Sequence, residues 1–571
     1  MRISQSKAES WIVASLAETS VSALPYFRLW RRINPVKRMH RTKLDWIVFS
    51  LALLAPVGLS QSVEWPSYNG DLSATRFSPL REITPGNVKT LRPACTYDTG
   101  ETTAFQSGLL MVRGILYFTT YNTTYAVDAS TCTLKWKYSR SGPSGGLGVN
   151  RGAAYLDGKV FRGTGDAHVF ALDAATGKPA WDAVLGDPAN GDSVPMAPLA
   201  WNGMVFAGNA GGDNFAVTGR IYALSAADGH QLWRFDVVPD SGPARATWKN
   251  LSDRNPPTGG ATWTSYSLDP EAGVLWVSTG NVAPDFLLSL HPGDNLYTTS
   301  VIALDAKTGT LLRYVQPVKN DFHDWDLPSP PALIRTKGGR QIAAAAGKDG
   351  ILYGIDRSGV TPAAKASQAQ LKIDYATPVT TRTNVTVPFN SKTETRFCPG
   401  TQGGTEWNGP AFHPQLNLVL VNSVDWCASV KVADAATITG KRGSIWPGSG
   451  DPEHPFGRTD PKEMWGGWLT AVDADTGSVR WKYKSPTPML AAVTPTAGGL
   501  VFSGDLNGDV LALDASNGSV LWRNSTGAAL GGGVITYQTG GHQRVAVAVG
   551  MSPANWPLPK TTGRIIVYSL P

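Results

Sequence analysis

The chain has 571 residues, 61 of them glycine and 20 tryptophan, and a formal net charge of +7. Abundant glycine with many short apolar runs argues for an all-β architecture and against a helical bundle. The charge does not describe a nucleic-acid footprint: residues 1–60 hold nine lysines and arginines against three acidic residues, so the remainder is close to neutral and carries no basic run.

The N-terminal 60 residues read as a targeting segment. His40, Arg41 and Lys43 form a charged start, Trp46 to Leu59 form an apolar core, and Gly58-Leu59-Ser60 supplies small residues for cleavage. The core is shorter than the roughly 20 residues of a bilayer span, so a signal peptide over about 39–60 is expected, with an uncleaved membrane tether as the alternative. Met39 directly precedes this pattern, which suggests that translation starts there and not at Met1. Residues 61–571 are then the exported domain.

The strongest signal in that domain is a repeat. Ala126 to Trp136 (AVDASTCTLKW), Ala171 to Trp181 (ALDAATGKPAW), Ala223 to Trp233 (ALSAADGHQLW), Ala303 to Arg313 (ALDAKTGTLLR), Ala471 to Trp481 (AVDADTGSVRW) and Ala512 to Trp522 (ALDASNGSVLW) share one design, with a weaker copy at Gly354 to Gly359. Alternating apolar residues make a strand, Asp and Thr-Gly make a tight turn, and a second strand delivers a large ring. The copies recur every 41 to 52 residues at the ends of the chain. That period fits four-stranded propeller blades, whose closure removes exposed sheet edges. The expected fold is an all-β propeller of eight blades with tryptophan-docking repeats, seven being the alternative count. The interval after Ala223 must hold inserted loops. The interval from Ala303 to Ala471 must hold the weak copy and at least one degenerate blade.

The four cysteines, Cys95, Cys132, Cys398 and Cys427, form no C-x-x-C or C-x-x-C-H pattern, which excludes a zinc ribbon and a c-type haem attachment site. Export permits disulfides. Of three connectivities the sequence-nearest, Cys95–Cys132 with Cys398–Cys427, is preferred; four buried thiols are the alternative.

Four segments carry more polar chemistry than a scaffold requires: Ala210 to Asn214 (AGGDN), Thr279 to Pro284 (TGNVAP), Asn320 to Asp326 (NDFHDWD) and Gly347 to Gly350 (GKDG). Each borders an expected strand, so blades can bring them to one end of the ring. Oxygen ligands from Asp and Asn suit a hard cation such as calcium.

These segments, with the opening Trp65 to Asp71 (WPSYNGD) and Thr75 to Leu80 (TRFSPL), resemble the quinoprotein alcohol dehydrogenases, eight-bladed propellers that use pyrroloquinoline quinone (PQQ) and calcium. The resemblance runs from about Trp65 to the C-terminus. It implies Asp326, in Trp325-Asp326, as the catalytic base, and Lys348 as the cation that contacts the quinone oxygens. It implies Asp213, Asn281 and Asp326 as metal ligands, with Asp213 standing where the family usually has Glu. It implies Gln106, Arg151, Gly211, Gly212, Trp263, Glu406 and Trp407 as cofactor contacts, Trp263 being the ring that stacks on the cofactor. The family's adjacent cysteine pair is replaced by Gly145-Gly146, and its lanthanide-type second Asp by Pro328, which favours calcium.

The implied reaction is oxidation of the CH–OH group of an alcohol or sugar, with electrons passed to a separate acceptor, a cytochrome c or a quinone. The implied location is the periplasm or another exported site. A catalytically silent propeller serving as an envelope binding or assembly scaffold is the second reading. An exported hydrolase is disfavoured because no Gly-x-Ser-x-Gly elbow occurs. No nucleic-acid partner is expected.

Overall fold

The computed structural model describes residues 63–140, 142, 148–364, 369–553 and 555–571. The expected targeting segment and the Gly145-Gly146 substitution lie outside these residues.

The described residues form eight four-stranded antiparallel sheets. Seven follow the chain order; in six each strand pairs with the next, and in one the second strand pairs with the third across an insertion. They comprise residues 110–139, 154–184, 199–236, 267–315, 332–378, 411–485 and 494–525. The eighth is composite: Val534–Thr539, His542–Val549 and Thr562–Ser569 are completed by Arg92–Thr102 from the beginning of the domain. Arg92 pairs with Ser569 and Thr102 with Thr562, so the two ends of the domain close the ring. Among the described residues helix is confined to single turns such as Gly242–Arg245, and none is long and apolar enough to cross a membrane.

The repeat occupies the third and fourth strands of a blade. Its first Ala faces the Trp across the strand pair, as in Ala171–Trp181 and Ala223–Trp233, and the register shifts by a bulge directly after that Ala. The same bulge follows Ala126, Ala303, Gly354, Ala471 and Ala512. A small residue opposite a large ring leaves room for the indole to leave its own blade and dock on the next. There its N–H donates to the turn: Trp136 to the Ala174 carbonyl at 3.0 Å, Trp181 to Ala226 at 3.1 Å, Trp233 to Ala306 at 3.1 Å and Trp481 to Ala515 at 3.1 Å. The ring lies on the glycine of that turn. A Cβ added at Gly309 would approach Trp233 to 2.6 Å, and Gly309 also has φ of +72°, so both space and conformation demand glycine.

Two copies depart from the pattern. Arg313 replaces the Trp of its blade, and Tyr375 takes the Trp position in the weak-copy blade, lying against Gly477 of the next turn. The interval from Ala303 to Ala471 differs from expectation. The weak copy is itself the intervening blade, and the rest is insertion, chiefly residues 426–465 between the second and third strands of one blade. The blade without a copy is the closing one, whose fourth strand comes from the other end of the domain.

Both expected disulfides form. Cys95–Cys132 joins the closing strand to the turn of the first blade, and Cys398–Cys427 ties the inserted three-stranded sheet of Thr395–Phe397, Ala428–Val430 and Arg458–Thr459.

Candidate active site

In an up-and-down blade, the segment entering the first strand and the loop from second to third strand lie at one end; the turns from first to second and from third to fourth lie at the other. The candidate residues all come from the former set. Gln106, Arg151, Trp263, Asp326, Glu406 and Trp407 sit on segments entering first strands, and Gly211, Gly212, Asp213, Asn281 and Lys348 on second-to-third loops. All eleven line one cavity of about 540 Å³. This is in the range of small-molecule and cofactor sites.

The cavity has an apolar wall and an ionic floor. On the wall, Arg151 lies over the Trp263 ring at 4.5 Å and Trp407 at 5.3 Å, and donates to the Trp263 carbonyl at 3.2 Å. Trp407 is fixed by its own N–H to the Gly531 carbonyl at 2.7 Å. Burial pushes the Arg151 guanidinium down to about 10, with Tyr68, Glu406 and Asp326 opposing. Its Nε and the Gln106 Oε1 are buried with no hydrogen-bond partner among the described residues. Orphaned polar atoms cost free energy unless a polar guest meets them.

On the floor, the Asp326 carboxylate accepts the Asn281 backbone N–H at 3.0 Å through Oδ1 and meets the Lys348 ammonium at 2.9 Å through Oδ2. The Asn281 contact depends on the residue before it: a Cβ at Gly280 would come within 2.7 Å of Asp326 Oδ1. Lys348 also approaches Asp324 at 3.3 Å and lies 5.9 Å from the Trp263 ring centre. Burial opposes the charge on Lys348, but Asp324, Asp326 and Glu406 outweigh it and hold the ammonium well above its ordinary range. Burial raises Glu406 to about 7 and Asp213 to about 6; Asp326 reinforces both shifts and Lys348 opposes them.

The NDFHDWD segment divides its labour. Asp321 caps its own turn, accepting from the His323 and Trp325 N–H groups. His323 is buried and stacks on Trp325 with ring centres 3.8 Å apart, so it serves packing. Only Asp324 and Asp326 enter the cavity. The Trp325 indole N–H donates to the Pro399 carbonyl, which anchors the segment beside the Cys398–Cys427 bridge. Near the mouth, the 426–465 insertion folds back so that the Trp446 N–H donates to the Asp213 carbonyl at 2.6 Å, and Trp446 packs edge-on against Phe215.

Two acidic residues at the floor were not singled out individually from sequence. Asp285 is fully buried, and its Oδ1 accepts from the Asn281 side-chain amide at 3.0 Å. Asp324 stands in the left-handed region at φ +63°. One oxygen from each of Asp213, Asp285 and Asp324 lies within 4.8 Å of the others. Burial and mutual repulsion push both Asp285 and Asp324 well above the usual carboxylate range. Asp324 lay in plain view within NDFHDWD; Asp285 had only its place just after the Asn281 turn.

Ring and cavity together define a propeller with an aromatic-walled cavity at one end, beside a cluster of carboxylates. A family model described as "Glucose/ethanol/alcohol dehydrogenase, beta-propeller domain" matches residues 65–371, more than half of the chain. The quinoprotein alcohol dehydrogenase PedH of Pseudomonas putida is 30% identical over 84% of this chain and 84% of its own length. The quinohemoprotein alcohol dehydrogenase of Comamonas testosteroni is 30% identical over 86% of this chain and 73% of its own. A solved europium-containing methanol dehydrogenase superposes with a TM-score of 0.78 at 25% identity, covering 89% of this chain and 98% of that one. The chain belongs to the PQQ-dependent quinoprotein alcohol dehydrogenase family, and it is an oxidoreductase of alcohol CH–OH groups. A second model, "Outer membrane protein assembly factor BamB", matches residues 466–559. That stretch contains two good repeat copies and none of the eleven candidate residues, so it speaks for the frame and not for a scaffold role.

Proposed function

We propose that the cavity holds PQQ against Trp263, with a cation at the carboxylate floor, and that Asp326 takes the proton from the substrate hydroxyl. The observation that carries this reading is the Asp326 carboxylate, held by the Asn281 N–H and the Lys348 ammonium on the cavity floor. Arg151, Gln106, Glu406 and Trp407, with the backbone at Gly211 and Gly212, would surround the cofactor. The unpartnered Arg151 Nε and Gln106 Oε1 suit a planar guest bearing carboxylates and carbonyls. Asp213, Asn281 and Asp326 bound the place of the cation, for which calcium is the expected occupant. When bound, PQQ supplies a two-electron acceptor, and the cation polarises its carbonyl.

The protein's own groups do the rest. Asp326 offers a carboxylate within reach of an alcohol on the floor, and a positioned base contributes about 10²–10⁴ in rate. Lys348 balances the charge of Asp326 before reaction and opposes negative charge that develops beside Trp263. Trp263 and Trp407, bridged by the Arg151 guanidinium, give the wall two aromatic faces and one cation. Electrons leave to a separate acceptor, a cytochrome c or a quinone. The two disulfides accord with an oxidising, periplasmic location.

The test is reconstitution. Full-length exported protein, dialysed against chelator and then given PQQ with calcium, is expected to bind PQQ and reduce an artificial electron dye with alcohols in the substrate panel. No PQQ binding under those conditions refutes the reading.

A further inference from the structure

We infer that the direct carboxylate ligands of the cation are Asp213, Asp285 and Asp324, and that Asp326 stays outside this set, free to act as base. This rests on the cation assigned above and changes which residues hold it.

The first observation is convergence: Asp213, Asp285 and Asp324 each offer one oxygen, and the three lie within 4.8 Å of one another. They reach this point from three different blades, by way of the 208–220, 278–301 and 315–332 connections. Such convergence does not arise from neighbours in a single turn. The second observation is independent of it. Asp285 is 0% exposed, and its Oδ2 has no hydrogen-bond partner among the described residues. Its other oxygen has one amide donor, from Asn281. An ionised carboxylate buried in that state is strongly unfavourable, so Asp285 either keeps a proton or meets a positive charge. Lys348 does not fill this role: its ammonium pairs with Asp326 at 2.9 Å and Asp324 at 3.3 Å.

The third observation concerns Asp326. Both of its oxygens have partners from the protein, the Asn281 N–H and the Lys348 ammonium. The backbone N–H of Lys348 also donates to the Asp326 carbonyl at 3.0 Å, which holds the two residues together. Asp326 is therefore satisfied without a metal, whereas Asp285 is not. The Asn281 amide, donating to Asp285, orients that carboxylate toward its neighbours. A hard, oxygen-seeking cation of charge two or three suits two buried carboxylates, Asp285 and Asp324, joined by the half-buried Asp213. The result separates two tasks: one carboxylate set fixes the ion, and a neighbouring carboxylate remains available for the proton.

The experiment reads cation binding, with neither PQQ nor substrate present, so its failure differs from failure of the redox reading. Full-length protein stripped with chelator is titrated with Ca²⁺ alone by calorimetry, then with Tb³⁺ alone by luminescence. Asp285→Asn and, separately, Asp324→Asn are expected to weaken binding of both ions about tenfold or more. Asp326→Asn is expected to weaken binding clearly less than either of these, since it removes no direct ligand. Thermal melts of each variant in chelator establish that it folds, and the rise in midpoint on adding Ca²⁺ should vanish for Asp285→Asn and persist for Asp326→Asn. If Asp326→Asn loses affinity as severely as Asp285→Asn, or if folded Asp285→Asn and Asp324→Asn bind both ions like the parent, the ligand set is wrong. Absence of Ca²⁺ and Tb³⁺ binding by the parent protein overturns it as well.

Discussion

The two ends of the ring are built by opposite rules. At one end the third-to-fourth turns repeat nearly unchanged: Asp173 accepts from Thr176, Gly177 takes a positive φ, and Trp136 of the preceding blade docks on it. Asp473, Thr476 and Gly477 make the same turn far along the chain, with Tyr375 as the docked ring. At the other end the connections run from short turns such as 347–350 to the 426–465 insertion, and their residue content differs. The comparison teaches that this propeller separates the interactions that close the ring from those that face the guest. Uniform docking at one end leaves the other free to vary, at little cost to the ring.

If that separation holds, site changes alter rate without altering stability, and frame changes do the reverse. The largest expected effect is at Asp326. Asp326→Asn should retain PQQ, measured by absorbance titration, while turnover falls by about 10²–10⁴. Its melting midpoint should stay close to that of the parent. A variant with full turnover would show that another group accepts the proton.

Next comes the frame. Trp233→Ala removes a buried indole and its bond to the Ala306 carbonyl, and should cost about 3–5 kcal/mol by denaturant unfolding. The protein that remains folded should keep its KM for alcohol. A changed KM with unchanged stability would break the separation of the two ends.

Opening the Cys95–Cys132 bridge by a Cys95→Ser/Cys132→Ser double change should be somewhat milder, about 2–4 kcal/mol, because the bridge closes a sequence separation of 37 residues and ties the closing strand to the first blade. Cys398–Cys427 supports the site through Pro399 and Trp325, so its loss should lower activity more than stability.

The smallest effect is in pH. Burial raises the folded-state Glu406 to about 7, above its ordinary value of 4.5. Between those values the folded protein holds a proton that the unfolded chain releases, so stability is greatest below about pH 4.5 and declines as pH rises through 7. For metal- and cofactor-free protein, the unfolding midpoint should therefore contain a component that falls over this window. Glu406→Gln should remove that component, and an unchanged slope would count against the assignment.

The chain alone determined the repeat and the ring it implies, and it favoured the cysteine pairing that the structure then showed. Those features are legible because tryptophan docking is local: an Ala, an Asp-Thr-Gly turn and a Trp within eleven residues, as in Ala171 to Trp181, contain the strand, the bulge and the ring to be docked. Resemblance then picked out the eleven cavity residues, because their motifs survive as short strings such as TGNVAP and GKDG. Only the tertiary structure decided how the carboxylates divide their work. Asp285 follows Asn281 by four residues and reads as an ordinary loop acid, while Asp213 lies 72 residues before it and Asp324 39 residues after. What sets them apart is burial, the unpartnered Oδ2 of Asp285 and the Lys348 ammonium drawn to Asp326. These are relations between blades. A sequence pattern records the residues of a turn, but the electrostatic balance of a cavity depends on which turns meet in space.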